Sequence, residues 1–419
     1  MNLLKTAFRS LARNRRRSFA TLIAIALGFS AIALFAGYTH NVYDGLSRQS
    51  IHAELLGHLT LSKRGMSREG KLDPERYLLD AEDIARIRTV LQDEPRIKRI
   101  APRLAFNGLV SNGRASTIFI AEGVAPEDMQ SLQDGYLTPE EAASGAYASF
   151  LKQLDPARLE VVELSAGLAE LLHLPVGGQA ALLVNTLGGQ ANALDITVGG
   201  TFNTGNAGSN DKFAYVPLST AQTLLDADGK ADRLTLLLDD AAATETMRSQ
   251  LAAKLAKAGF DLEIETWQEL SSFYQQVHNM FDMIFGFIFS IVLTVVVMSV
   301  ANSMSMTVVE RTREIGTLRS VGLKRSGVVR LFAAESLVLS LAGCLLGLLL
   351  TFAVRYGINV AGISYVPPNS AVPIPLLVDL DLPRIAFALA LMATVGTAAA
   401  LLPARRAARQ PIIDALGHV

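Results

Sequence analysis

Residues 280–302 read MFDMIFGFIFSIVLTVVVMSVAN, with Asp282 as the single charge. A helix of roughly 20 apolar residues crosses about 30 Å of hydrocarbon. Three further stretches meet that requirement: 18–38, 331–354 and 385–403. Between the first and the second lies 39–275, which holds no apolar run of that length. The predicted fold is an α-helical membrane protein with four transmembrane helices and a large mixed α/β domain between helices 1 and 2. The second span with its lead-in covers 276–302. The linking segments are 303–330, 355–384 and a tail at 404–419.

Charge fixes the orientation. Of 419 residues, 18% are charged and the net charge is −1. That near-zero total hides a division: 39–275 holds 21 Lys/Arg against 32 Asp/Glu, and the remainder 17 against 7. Lys5, Arg9, Arg13, Arg15, Arg16 and Arg17 precede the first span. Arg311, Arg313, Arg319, Lys324, Arg325 and Arg330 lie between the second and third, and Arg405, Arg406 and Arg409 follow the fourth. The segment before the fourth span has only Arg355 and Arg384 at its edges. Cytoplasmic loops collect Lys and Arg, so both termini and 303–330 are expected in the cytoplasm and the acidic domain outside it. The first apolar stretch is longer than a signal peptide's core and reads as an uncleaved anchor. The one cysteine, Cys344, falls inside the third span, so the outer domain is expected to rely on its own core rather than on a disulfide.

Residues 1–17 show Leu3, Leu4, Ala7, Phe8 and Leu11 at helical spacing, with Lys5, Arg9 and Arg13 on the other side. This predicts an amphipathic helix along the inner membrane surface. In the outer domain, strands are expected at 59–62, 97–110, 116–121, 180–185, 195–202, 213–216, 233–238 and 262–265. Helices are expected at 81–92, 126–133, 166–172, 220–225 and 241–258, with Asp80 and Ser219 as N-caps. The segment 123–205 reads as an inserted subdomain. The stretch 267–276 lacks Gly and Pro and is expected to run as one helix into the second span. Likewise 41–52 is expected to prolong the first span outward, giving two rigid stalks.

Several chemistries are absent from the sequence. No G-x-x-x-x-G-K-[ST] loop occurs to cradle phosphates, so a nucleotide site, if used, belongs to another chain. No H-E-x-x-H, C-x-x-C or G-x-S-x-G occurs either, and no catalytic, cofactor or metal residues are assigned. His52 and His58 are close in sequence but read as ordinary surface histidines. The pairs Glu82-Asp83 and Glu140-Glu141 read as solvated acids near helix starts. The basic clusters all adjoin apolar spans, which disfavours nucleic acid as a partner.

The segment 310–322, ERTREIGTLRSVG, is the most informative. Ile315, Leu318 and Val321 make an apolar edge, with Arg311, Arg313, Glu314 and Arg319 elsewhere around a short helix. Gly322 is expected to stop that helix and Ser326 to cap the next.

These residues, continued as ERTREIGTLRSVGLKRSGVVRLFAAESLVLSLAGCLLG over 310–347, resemble MacB/FtsX-type ABC transporter permeases. The ending PARRAARQPIIDAL over 403–416 is similar to that family's P-x-R-R-A-x-x-x-x-P-x-x-A-L. The resemblance implies a permease subunit in the bacterial inner membrane, paired with a second permease chain, identical or paralogous. It implies a dimer of cytoplasmic ATPase subunits that carries ATP and Mg, with no cofactor on this chain. It also implies that 310–322 contains the coupling helix, with Arg311, Glu314, Ile315, Gly316, Leu318, Arg319 and Gly322 as its positions. Within the outer domain, IFIAEGVAPEDM (118–129), VVELSAGLAELLHLPVGGQAALL (161–183) and GGTFNTGNAGSNDKFAYVPLSTAQTLL (199–225) resemble the lipoprotein-releasing (LolC/LolE-like) permeases. Their outer domain has porter and sabre parts. Efflux permeases of the MacB branch are the nearest alternative. Membrane lipids and a periplasmic carrier or adaptor are the further partners implied.

Three membrane features complete the reading. Ser336, Ser340, Gly343 and Gly347 form a small-residue stripe suited to close helix packing. Glu335, near one end of the third span, is expected at headgroup level or paired with an Arg. Phe281, Phe285 and Ile288 lie on one face of the second span as candidate contacts for lipid or substrate. The resemblance and the topology together imply a mechanotransmission permease, with force passed from 310–322 along the second span to the outer domain. Reversing charge at Arg311 and Glu314 together is expected to abolish coupled transport in a folded chain. The rival from another class is a membrane-anchored sensor or scaffold, which leaves the third and fourth spans without a purpose.

Overall fold

The computed structural model describes residues 15–70, 73–144, 147–366 and 374–416. The amphipathic helix expected over 1–17 falls outside them, save for the start of the first helix at Arg15. In chain order the main elements are α1 (Arg15–Arg48), β1 (Leu59–Lys63), α2 (Ala81–Leu91), β2 (Ile97–Ser111), β3 (Ser116–Val124), β4 (Val161–Ser165), β5 (Gln179–Asn185), β6 (Ala191–Phe202), β7 (Phe213–Pro217), β8 (Arg233–Leu238), α3 (Thr244–Lys257), β9 (Leu262–Thr266), α4 (Ser272–Glu310), α5 (Thr312–Ser320), α6 (Arg325–Ala361), α7 (Leu382–Arg409) and α8 (Ile412–Leu416). A π-helical turn, Gln49–Ala53, follows α1. Two compact units result: one of Asp44–Gln276 with Val366–Ile374, the other of the remaining segments.

The α/β unit is organised by one long strand. The first half of β2 pairs antiparallel with β8, from Ile97↔Leu238 to Arg103↔Arg233, and its second half pairs antiparallel with β3, from Arg103↔Val124 to Ser111↔Ser116. Through the first half, β2, β8, β1 and β9 form a four-stranded antiparallel sheet. Helices α2 and α3 cover it, burying Ile84, Ile87, Leu91, Met247, Leu251 and Leu255 against Leu59, Leu61, Leu234 and Leu236. Through the second half, the order β2-β3-β7-β4-β6-β5 returns to β2 by the Leu109↔Leu183 pairing and closes a six-stranded ring. Closure leaves no strand edge in the ring. Alternate residues fill its interior, among them Phe106, Val110, Phe119, Leu182, Val198 and Val216. The segment 123–205, expected as an insertion, supplies β4, β5 and β6, while β2, β3 and β7 complete the ring.

Several expectations are corrected. Strand β4 was not anticipated: all five residues are buried, so no polar–apolar alternation marks it. Its neighbour β6 starts at Ala191, four residues before the expected 195. Asp80 does cap α2, its carboxylate accepting from Asp83 N at 2.8 Å. Ser219 does not cap its helix, which starts at Leu218 behind Pro217. The helix expected from 267 breaks at Ser271, which is extended; Thr266 and Glu269 close a reciprocal capping box around Trp267–Leu270, and α4 begins at Ser272. His58 is no surface histidine. It is buried, its Nδ1 accepts from Leu238 N at 3.0 Å, and burial pushes it down to about 4.

The helical unit contains four helices long and apolar enough to cross a membrane, within Ser18–Ala53, Ser272–Glu310, Arg325–Ala361 and Leu382–Arg409. At about 1.5 Å per residue the 39 residues of α4 extend about 58 Å, well beyond a bilayer core. Their shared core holds Ile25, Phe29, Val296, Val300, Phe332, Leu339, Met392 and Ala400.

Candidate coupling site

Helix α4 ends at Glu310, and Arg311 has non-helical angles (φ −109°, ψ 15°) before α5 begins. Arg311 therefore stands at a joint, and its guanidinium works on both sides of it. Nε donates to Glu314 at 2.8 Å and Nη1 to Glu335 at 2.6 Å. Glu335 is 1% exposed. An acid so buried needs such a partner, since an unpaired charge there would be strongly destabilising. The expected Arg partner of Glu335 is thus found, and it belongs to the joint itself.

The motif 310–322 divides between two directions. Ile315 and Gly316 are buried, Ile315 in the same core as Val328, Phe332, Ala404 and Ala407. Leu318 and Arg319 are partly buried, whereas Arg313, Glu314 and Thr317 are exposed. Arg319 donates to the Gln410 carbonyl oxygen, and α8 packs beside α5. Gly322 adopts φ +103°, the left-handed angle that ends the helix without a Cβ clash. The next cap is Lys324, with Arg325 opening α6; Ser326 lies inside its first turn. Because Arg311 serves the interior as well as α5, reversing its charge sets an acid against Glu335. A double reversal at Arg311 and Glu314 is therefore expected to disturb the joint itself as well as coupling.

The small-residue stripe on α6 serves two neighbours. Ser336 Oγ donates to the Gly396 carbonyl oxygen on α7 at 2.8 Å, and Ser340 packs against Gly396. Gly343 and Gly347 face α1: a Cβ on Gly343 would stand 2.7 Å from Ile25 Cγ2, and one on Gly347 2.6 Å from the Ala26 carbonyl oxygen. Both contacts lie within one chain. On α4, Phe285 stacks on Phe35 and Phe281 meets it edge-on, at centroid distances of 6.0 and 6.1 Å. They line a cavity of ≈ 670 Å³ with Phe289, Ile32, Phe387 and Met392. Ile288 does not line it.

Within the α/β unit lies a charged cluster that sequence reasoning missed. The turn after the π-helical Gln49–Ala53 puts Leu55 at φ +58°. Two fully buried cations hold it: Arg103 Nη1 donates to the Leu55 carbonyl oxygen at 2.7 Å, and Lys152 Nζ to that of Ala53. Arg103 also pairs with Glu122, which Arg233 contacts as well. Lys152 Nζ sits 5.0 Å over the Phe202 ring. Burial lowers Lys152 to about 7 and raises Glu163 to about 7. The available signal was a charge interrupting an apolar run, as Arg103 does in IAPRLAF and Glu163 in VVELS.

Among the described residues no group of three or more His, Cys, Asp or Glu could hold a metal ion. A four-span helical unit, a large α/β unit between its first two spans and a charged joint between the second and third are the features of a membrane permease. Comparison with known proteins agrees. Residues 18–254 match the MacB-like periplasmic core domain, and 286–412 the FtsX-like permease C-terminal domain. The chain belongs to the MacB/FtsX-type family of ABC transporter permeases. The pyoverdine export ATP-binding/permease protein PvdT of Pseudomonas putida is 26% identical over 99% of this chain and 59% of its own length. The macrolide export ATP-binding/permease protein MacB of Hyphomonas neptunium is 28% identical over 99% of this chain and 60% of its own. The chain thus spans about three-fifths of the length of these relatives. The periplasmic region of MacB from Actinobacillus actinomycetemcomitans, a solved structure, covers 53% of this chain and 93% of its own at 16% identity, with a TM-score of 0.33.

Proposed function

We propose that this chain is the membrane-spanning part of a mechanotransmission ABC transporter. ATP hydrolysis on a partner ATPase moves α5, and α4 passes that motion to the α/β unit on the other side of the membrane. The observation that carries the reading is the Glu314–Arg311–Glu335 chain of contacts. It ties α5 to α6 at the end of α4, so that a push on the exposed face of α5 is met by the membrane helices and not absorbed in a loose loop. Both termini and the α5 joint are cytoplasmic, and the α/β unit extracytoplasmic, in line with the distribution of Lys and Arg. ATP and Mg bind the ATPase, and a second permease chain completes the transporter.

The cargo is a lipoprotein or another hydrophobic or amphipathic molecule. The apolar cavity at Phe281 and Phe285 supports that class, since it offers rings and aliphatic side chains to an acyl chain or similar group. A MacB-like exporter is an equally good form of the reading, and it is favoured by the names of the relatives, which export pyoverdine and macrolides. The test is reconstitution in vesicles with the ATPase that accompanies the chain. Arg313→Glu on the exposed face of α5 is expected to abolish transport driven by ATP while leaving the thermal unfolding temperature unchanged. Undiminished transport by that variant defeats the coupling role of α5.

A further inference from the structure

Helix α5 is not the sole element on its side of the helical unit. The segment after α7 turns at Gln410 and Pro411 and forms α8, which packs beside α5, with Ala415 2% exposed. Arg319 fastens the pair by donating to the Gln410 carbonyl oxygen. Ala407 and Ala408 lie in the same buried core as Ile315, so the base of this pair is packed from both segments. Val321, at the end of α5, and Ile413, on α8, are each 84% exposed. On α5, at the start of α6 and at the end of α7, Arg313, Lys324, Arg325, Arg405, Arg406 and Arg409 are exposed. Glu310, Glu314 and Asp414 are the acids nearby in sequence, against six exposed Arg and Lys, and Glu314 already accepts from Arg311.

We infer that α8 and α5 form one docking platform, and that Ile413 inserts into an apolar cleft with an acidic rim on the nucleotide-hydrolysing partner. The inference rests on the proposed coupling role of α5 and extends it to the 410–416 segment. Charge decides the occupant's class: an arginine-rich surface selects an acidic one. Shape decides between the two acidic candidates, a protein and an anionic membrane. A helix that binds a lipid surface buries a continuous apolar face along its length. Among the described residues of this pair, the strongly exposed apolar side chains are two separate aliphatic ones, Val321 just past the nine-residue α5 and Ile413 on the five-residue α8. Isolated anchors inside a charged ring suit pockets on a folded protein. Fixing α8 to α5 also gives the partner a hold on α7 as well as on α4 and α6, so one docking event would engage three of the four spanning helices.

The test uses the full chain in its native membrane. A photo-reactive benzoylphenylalanine replaces Ile413, and in a second sample Val321; after irradiation the adducts are identified by mass spectrometry. The expected product at both positions is a peptide from a polypeptide that carries a Walker A sequence. In parallel, Ile413→Asp is expected to cut the amount of that polypeptide held by the purified chain by about tenfold or more. Ile413→Leu should retain it, and the melting temperature should stay constant because the side chain is exposed. Lipid adducts at position 413, or adducts with another copy of this chain, overturn the inference. So does full retention of the ATPase by Ile413→Asp where Val321→Asp loses it; that result leaves the coupling role of α5 intact. Loss of no ATPase in either variant, with no ATPase adduct at either position, removes both readings together.

Discussion

The Arg103 guanidinium donates to the Leu55 carbonyl oxygen at 2.7 Å from a side chain that is 1% exposed. The acceptor belongs to a residue in the left-handed region, two positions beyond a π-helical turn. A cation from the middle of β2 thereby fixes the turn that enters the α/β unit, at the point where the open sheet passes into the closed ring.

Arg103→Met should accordingly destabilise the α/β unit by about 3–5 kcal/mol, because Glu122 loses the buried one of its two cations and the Leu55 carbonyl its donor. The single tryptophan, Trp267, packs in the same cluster as Leu55. Its fluorescence during thermal unfolding reads the loss directly. A variant that melts with the parent removes the structural role assigned to Arg103.

Two buried groups predict opposing pH dependences. Burial lowers Lys152 from 10.5 to about 7, so between these values the unfolded chain binds more protons and stability rises with pH. Burial raises Glu163 from 4.5 to about 7, so over that range the folded chain binds more protons and stability falls as pH rises. Lys152→Met should flatten the rising limb above neutrality, and Glu163→Gln the falling limb below it. Melting temperatures recorded from pH 4.5 to 10 check both, and an unchanged profile in either variant refutes its assignment.

The two halves of the motif at 310–322 should separate by experiment. Glu335→Ala is expected to cost about 3–5 kcal/mol, since it strips a buried ion pair from the α4–α5 joint. Glu314→Gln, at an exposed pair, should cost under ~1 kcal/mol. Arg311→Glu should fail in stability, whereas Arg313→Glu should fail in coupling alone. Protease resistance of the membrane-inserted chain and ATPase binding, measured side by side, distinguish the two.

Gly347→Ala should be more damaging than Gly343→Ala. The added methyl at 347 meets the backbone oxygen of Ala26, which cannot rotate away, while at 343 it meets the Ile25 side chain. Overpacking of the first kind costs about 1–3 kcal/mol. The comparison is made by thermal unfolding of each variant, and equal melting temperatures count against the α1–α6 contact.

Much of the site was legible along the chain. The coupling segment could be located because its residues are contiguous, and its stop at Gly322 because a left-handed angle asks for glycine. Which of its side chains face outward was not legible: Ile315 and Leu318 read alike, yet only Ile315 is buried against Phe332 and Ala404. That distinction is set by helices that arrive much later in the sequence.

The sequence by itself determined the four spans, the charge asymmetry across them, the placement of the α/β unit and most of its strands. Each of these depends on the length, sign or period of a local run of residues. Tertiary structure alone decided that β2 serves two sheets, that β4 completes a closed ring, and that Arg103 and Lys152 act as buried fasteners and Arg311 as a partly buried one. Those outcomes depend on partners distant in sequence, such as Arg233 for Glu122 and Leu183 for Leu109. Local pattern marks which side chains leave water, but the neighbour each one meets is fixed only when the whole chain closes on itself.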